Sequence, residues 1–261
     1  MALAQFVREY QTVRRAEGWG SREPEYYRAL PYRDLSRRFD GIWRIRARSY
    51  DMFLERVVRP LERDAQDVPL RVLDLGAGNG WLAYRLSQRG HAVQAVDVFE
   101  DAFDGLGAMR HYAQHGLHAV LAEFDHLPLR AESVDLAVFN ASLHYSTDYC
   151  RTLRESLRVL GPRGTLVILD SPMYSDPSSG ARMVQEREAR FMATYGFASN
   201  ALACEHFLTP ERLSSVGAEV GIHWRTYQPR LDLRTSIERR VNGLRARREP
   251  ARFPVVVGHR A

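Results

Sequence analysis

The sequence predicts an α/β domain built on a doubly wound, seven-stranded, mostly parallel sheet whose last strand is antiparallel. Three observations carry this. Arg71 to Leu75 is a short apolar run with one acid, Asp74. It is followed by glycines at 76, 78 and 80, and Trp81-Leu82-Ala83-Tyr84-Arg85-Leu86 then starts a helical pattern, so the stretch reads strand, tight turn, helix. Further apolar runs recur down the chain with helical patterns between them, as in strand–helix–strand units. The length of 261 residues suits one such domain with additions.

Taken in order, residues 1–66 precede the core as an N-terminal cap segment rich in aromatics and arginines, and Ser49 to Leu61 has helical periodicity through Met52, Phe53, Val57 and Leu61. Strand one is followed by a helix over 81–89 that Gly90 can cap. His91 to Val98 is strand two, ending at Asp97. Asp101 to Gln114 reads as the next helix, closed by Gly116. Its His111 and His115 have an i, i+4 spacing but no accompanying acid, so they read as solvated surface with no metal. Ala119 to Leu121 is strand three and runs into Ala122-Glu123-Phe124-Asp125-His126-Leu127-Pro128. Val134 to Asn140 is strand four and leads into Ala141-Ser142-Leu143-His144-Tyr145.

A helix starts at Thr147-Asp148, with the acid suited to the positive end of the dipole. Gly161 to Gly164 is a turn, and Thr165 to Asp170 is strand five, apolar enough to be buried on both sides. Residues 171–204 are an insertion, a loop and then a helix carrying Met183, Phe191, Met192 and Tyr195. It follows the C-terminal end of a strand, where ligands bind in such sheets, and is read as a helical lid. Thr209-Pro210 starts another helix. Glu219 to Trp224 is strand six, residues 230–252 an Arg-rich insertion, and Phe253 to Gly258 the last strand.

The glycine turn narrows the ligand. Without a Cβ, Gly reaches positive φ cheaply and lets a ligand approach the backbone at a helix N-terminus. A phosphate loop of the Walker kind is excluded because the chain has no Lys. The G-x-G-x-x-G fingerprint of nicotinamide and flavin sites fits poorly, since Trp81 occupies its third position. Asp97 lies about twenty residues past the glycines, where this fold puts a carboxylate on a ribose diol.

Asp74-Leu75-Gly76-Ala77-Gly78-Asn79-Gly80, then Asp97, Glu123-Phe124 ahead of Leu127-Pro128, and Asp135-Leu136-Ala137-Val138 together resemble the class I S-adenosylmethionine-dependent methyltransferases, in particular the small-molecule group that includes quinone-biosynthesis enzymes. The resemblance covers residues 70–170 well and 205–260 loosely. It implies a Rossmann-like core domain over 67–261, S-adenosylmethionine as cofactor with S-adenosylhomocysteine as product, and in-line displacement at the sulfonium methyl. It places Asp74, Gly76, Ala77, Gly78 and Gly80 around the methionine part, Asp97 with Val98 at the ribose, Glu123 and Phe124 at the adenine, and Asn140 and Ala141 beside the methionine end. Glu123 stands where the family usually has Asp. His144 is the candidate for proton handling, with Tyr145 beside it to orient the acceptor. Tyr27, Tyr32 and Trp43 of the cap and Tyr174 of the lid are candidates for the acceptor rim.

The partner implied is a small-molecule acceptor. Against a nucleic-acid methyltransferase, Asn140 is followed by Ala141-Ser142 rather than Pro-Pro-aromatic, and no Cys stands there. A cofactor-binding sensor without turnover is the other alternative. The Arg-rich stretch alternates with Ile237, Val241 and Leu244, so contact with an anionic membrane face is open to it, although a solvated helix face is the plainer reading. Cys150 and Cys204 show no metal or redox spacing, the N-terminus has no signal sequence and no stretch is apolar enough to span a membrane. A cytoplasmic protein without disulfides is expected.

Overall fold

The computed structural model describes residues 1–66, 68–115, 117–229 and 247–261, with the side chains of 113–115 left aside. The sheet has seven strands in the order β3-β2-β1-β4-β5-β7-β6. These are β1 (Arg71–Leu75), β2 (Ala92–Asp97), β3 (His118–Leu121), β4 (Val134–Asn140), β5 (Leu160–Leu169), β6 (Ile222–Tyr227) and β7 (Val255–Arg260). β1 to β5 are parallel, and β7 lies antiparallel between β5 and β6. The strand order reverses at β1, which puts the glycine turn at the switch point where ligands enter doubly wound sheets.

Both faces of the sheet are covered, which is why the central strands are apolar throughout. Successive side chains point to opposite faces. Val72, Val138 and Val167 join one core with Trp43, Phe53, Trp81 and Leu86. Leu73, Phe139 and Ile168 join the other with Leu153, Leu157 and Val216.

Several elements depart from the expectations above. Residues 2–17 form a helix, α1 (Ala2–Glu17), ended by Gly18 in the left-handed region. α2 (Pro24–Ala29) follows, and α3 (Asp40–Phe53) runs on through a π turn, Leu54–Val58, into α4 (Arg59–Asp64), a longer helix than Ser49 to Leu61. α5 (Trp81–Ser87) starts as expected. The helix expected from Asp101 begins only at Leu106 and is 3₁₀ to His115. Asp101 Oδ1 instead accepts the amides of Phe103 and Asp104, holding a turn.

α6 (Tyr149–Val159) is capped by Asp148, whose Oδ1 accepts the Arg151 amide. The Gly161–Gly164 turn is part of β5. Leu160 pairs with Val134 and Thr165 with Leu136, so the intervening residues are taken up as a bulge within the strand. α7 (Pro177–Tyr195) occupies the insertion after β5. α8 (Pro210–Val220) ends at Gly221, φ 73°, so strand six begins at Ile222 rather than Glu219. Of the Arg-rich 230–252 stretch, residues 230–246 lie outside the described residues. Among the described residues no helix is long and apolar enough to cross a membrane.

Candidate active site

β1 delivers the chain to Gly76 at the C-terminal edge of the sheet. The amides of Gly76 and Ala77 donate to the Val96 carbonyl at 2.8 and 3.1 Å, pinning the turn to β2. The Gly78 amide donates to Asp97 Oδ2 at 2.7 Å, and Asp97 Oδ1 accepts the Phe99 amide at 2.9 Å. Gly76 and Gly78 have φ of 72° and 54°. A Cβ on Gly76 would stand 2.3 Å from the Ser142 Cβ, whereas one on Gly78 would meet nothing nearer than the Asp104 carbonyl at 3.6 Å. Close packing under the turn therefore excludes a side chain at Gly76, and Gly78 keeps open space facing the cleft.

The cleft beside this turn is bounded on the core side by Gly76, Ala77, Gly78, Asp97 and Val98, and further round by Glu123, Phe124, Asn140 and Ala141. Burial pushes the Asp97 carboxyl up to about 6 against the pull of the Gly78, Phe99 and Val98 amides. Phe124 packs edge-on to Phe139, ring centroids 5.6 Å apart. The Asn140 side-chain oxygen is buried without a hydrogen-bond partner. Ala141 takes φ 57°, a conformation that costs a non-glycine residue energy and recurs at ligand sites. Ser142, next along, donates to the Leu75 carbonyl.

Asp74 and Gly80 stand behind this wall. Asp74 is fully buried within β1, and burial pushes its carboxyl up to about 7 against the opposing Ala83 amide. Gly80 caps α5, where a Cβ would come within 2.7 Å of Met109. Both shape the turn from outside the cleft.

The opposite wall comes from elements without a motif. Phe6, Tyr10 and Arg14 of α1 line it at helical spacing, together with Leu3 and Val7. Tyr10 meets Phe99 edge-on at 5.2 Å, and Phe6 lies 5.5 Å from Tyr145. Arg14 forms an ion pair with buried Asp104, and its guanidinium sits 3.6 Å above the Trp19 ring. Arg46 of α3 also enters the cleft, above Trp43. Burial lowers its pKa, with buried Asp170 acting in the opposite sense. Sequence reading missed Phe6, Tyr10, Arg14 and Arg46. The spacing Phe6, Tyr10, Val13 carried a usable helical signal, whereas a lone arginine such as Arg46 carried none.

Of the two candidate catalytic residues, Tyr145 lines the cleft and His144 lies behind it. His144 Nδ1 is 3.2 Å from Ser171 Oγ, its ring is 4.3 Å from Tyr145, and its carbonyl accepts the His206 amide. Burial, then the neighbouring positive charges of His206, Arg187 and Arg46, push the imidazole down to about 3. Burial raises the Tyr145 phenol.

The four rim aromatics stand elsewhere. Tyr27 is fully buried, donating to the Phe103 carbonyl and stacking on His111. Trp43 is in the core against Trp81. Tyr32 is 53% exposed and donates to Asp51. Tyr174 is buried edge-on to Phe207. Tyr27, Trp43 and Tyr174 were drawn into the core, where a large aromatic face buries most surface, while Tyr32 stays at the surface.

Residues 73–168 match the methyltransferase domain family. An uncharacterized methyltransferase of Mycobacterium tuberculosis is 41% identical over 96 residues, 37% of this chain and 37% of that protein. The chain thus spans little more than a third of that relative's length. A malonyl-[acyl-carrier protein] O-methyltransferase of Marinomonas is 27% identical over 72% of each chain. Among solved structures, a SAM-dependent methyltransferase of Thermotoga maritima superposes with a TM-score of 0.54, covering 90% of this chain and 98% of the other at 16% identity, a likeness of fold.

Proposed function

We propose that this chain, whose residues 73–168 form a class I S-adenosylmethionine-dependent methyltransferase domain, transfers the cofactor's methyl group to a small-molecule acceptor. The observation that carries the reading is the pairing of Gly78 with Asp97 across an open stretch of backbone. An ionised carboxylate already oriented by two amides presents its remaining lone pairs to a ribose diol, while the glycine leaves room for the chain of the amino acid. The buried, unpartnered oxygen of Asn140 suits an ammonium group at the methionine end. Glu123 and Phe124 would border the adenine, and Val98 the ribose.

When bound, the cofactor supplies a methyl on a positively charged sulfur, already electrophilic. The protein's own tasks are to hold the acceptor in line and to keep water out. α1 supports both, laying Phe6 and Tyr10 across the mouth of the cleft against Phe99 and Tyr145. In this reading residues 1–66 cap a core of 67–261, residues 171–204 are a lid on the acceptor side, and Tyr145 orients the acceptor.

The test is calorimetric titration with S-adenosylhomocysteine, followed by incubation of the protein with methyl-labelled S-adenosylmethionine and a cell extract. Saturable binding and label in the low-mass fraction are expected. No binding, or label confined to nucleic acid or protein, overturns the reading.

A further inference from the structure

Two phenols of the cleft keep their hydroxyls free of the protein. Tyr10 of α1 and Tyr145 after β4 both line the cleft, and their rings meet almost at a right angle with centroids 6.2 Å apart. Both side chains are half-buried. Among the described residues neither hydroxyl has a hydrogen-bond partner, and neither oxygen is sealed from the cleft. Other phenols of the fold are satisfied internally. Tyr27 donates to the Ser21 and Phe103 carbonyls, Tyr32 to Asp51 and Tyr149 to the Phe207 carbonyl. A donor that packing half removes from water and leaves unbonded is tolerated where a ligand completes it.

The surroundings of the two hydroxyls indicate which ligand atom. Phe6 lies 5.6 Å from Tyr10 and 5.5 Å from Tyr145, and Phe99 meets Tyr10 at 5.2 Å, so rings wall this part of the cleft and suit a flat, apolar body. Burial raises both phenols above their ordinary range, opposed by Arg14 at Tyr10 and by Arg187, Arg14 and Arg46 at Tyr145. Both therefore stay protonated and can donate. Burial likewise keeps nearby Cys204 a thiol, up at about 11. The acids that act on Tyr10 are Asp104, which is paired with Arg14, and Asp97, which accepts the Gly78 and Phe99 amides. Arg46 lines the same cleft with its guanidinium 4.8 Å from the Trp43 ring, and among the described residues it has no hydrogen-bond partner. Two neutral donors and an unpaired cation inside aromatic walls suit an oxygen that carries negative charge.

We infer that Tyr10 is an acceptor-recognition residue which, beside Tyr145, donates its phenol O–H to an ionised oxygen, a phenolate or enolate, on a flat, apolar acceptor. An O–H···O⁻ bond is of the strong, charge-assisted kind, and walls that exclude water strengthen it. An acceptor that binds already ionised has given its proton to solvent and needs no base from the protein, in keeping with His144 standing behind Tyr145 rather than in the cleft. The inference rests on the methyl-transfer reading, which gives this side of the cleft to the acceptor.

The probes are 4-nitrophenol, whose ionised form is yellow, and 4-nitrotoluene, which has the same shape and no oxygen to ionise. Their binding to the whole protein is followed by absorbance and calorimetry, with and without saturating S-adenosylhomocysteine. Bound nitrophenol is expected to ionise about one pH unit below the pH at which it ionises free. Nitrotoluene should bind at least about tenfold more weakly than the phenolate. Tyr10→Phe keeps the ring, so it should remove most of the pH displacement and weaken phenolate binding about tenfold, with nitrotoluene and S-adenosylhomocysteine affinities within about twofold of the parent. The inference fails if nitrophenol does not bind, if it binds in its neutral form, if nitrotoluene binds as well, or if Tyr10→Phe holds the phenolate as the parent does. It fails too if that variant loses S-adenosylhomocysteine affinity, which would give the phenol to the cofactor. A parent protein that binds the phenolate through Tyr10 but ignores S-adenosylhomocysteine would sink the cofactor reading and leave the oxyanion site standing.

Discussion

The two walls of the cleft are held by different means. On the core side, Gly76, Ala77 and Gly78 are fixed by bonds from their own amides to Val96 and Asp97. On the facing side, α1 and α3 contribute side chains, and the wall is closed by ring contacts and by the pairing of Arg14 with Asp104. A backbone site demands particular residues at particular spacings, so it leaves a motif. A side-chain site can be met by many residues from many positions, so it leaves almost none. A cofactor common to many proteins suits the first wall, and an acceptor peculiar to one protein suits the second.

The sharpest way to break this contrast is to detach one wall from the other. Arg14 bridges α1 to the 3₁₀ side of the core through Asp104, whose side chain is 4% exposed. Arg14→Met leaves that carboxylate buried without its partner, a change that costs about 3–5 kcal/mol. Denaturant unfolding should show a loss of this size, and hydrogen exchange should speed up in residues 2–17. A loss below about 1 kcal/mol would mean that α1 is held by its ring contacts alone.

The same contrast explains what could be read from the chain. The sheet was legible because parallel strands buried on both faces are apolar runs, as at Val134 to Asn140, and because the glycine turn fixes which strand comes first. Boundaries failed where a local bond overrode periodicity. Asp101 gives its oxygen to two amides and delays the helix, and Gly221 turns the chain so that β6 starts late. The cap aromatics misled because Trp and Tyr serve a core as well as a rim. At Trp43 and Tyr27 the core took them.

A second test sharpens the core wall. Asp97→Ala should weaken S-adenosylhomocysteine binding by about 1.5–3 kcal/mol, the range for hydrogen bonds to a charged group. The same carboxylate sets a pH dependence. Its pKa in the protein is about 6, above the usual carboxylate value, so it is ionised at pH 7 and becomes protonated as the pH falls through 6. Accepting both ribose hydroxyls requires the ionised form. Affinity should be level above pH 7 and fall about tenfold by pH 5. In Asp97→Asn the affinity should be low and flat across that range. A parent protein whose affinity does not change between pH 7 and 5 would show that Asp97 is not the group the ligand meets.

The smallest effect is expected where the two walls meet, at His144. A group that takes the acceptor's proton should have a pKa near the working pH and reach the acceptor. This imidazole stands behind Tyr145, bonded to Ser171, and burial with the neighbouring positive charges pushes it down to about 3. Above pH 5 it is neutral in the protein. Lowering a histidine's pKa on folding also favours the neutral form, so it costs stability only as the pH drops below the ordinary histidine value near 6.5. Its geometry suits bracing Tyr145 and the 170–171 corner. His144→Gln keeps a hydrogen-bonding group of similar reach, so cofactor affinity should stay within about twofold and turnover should fall by less than about tenfold, with the pH profile unchanged between 6 and 9. A base would behave otherwise. Its loss would lower turnover by roughly 10²–10⁴, and the deficit would shrink at high pH as the acceptor ionises unaided. The size of the drop and its slope with pH together decide whether His144 moves a proton or holds Tyr145 in place.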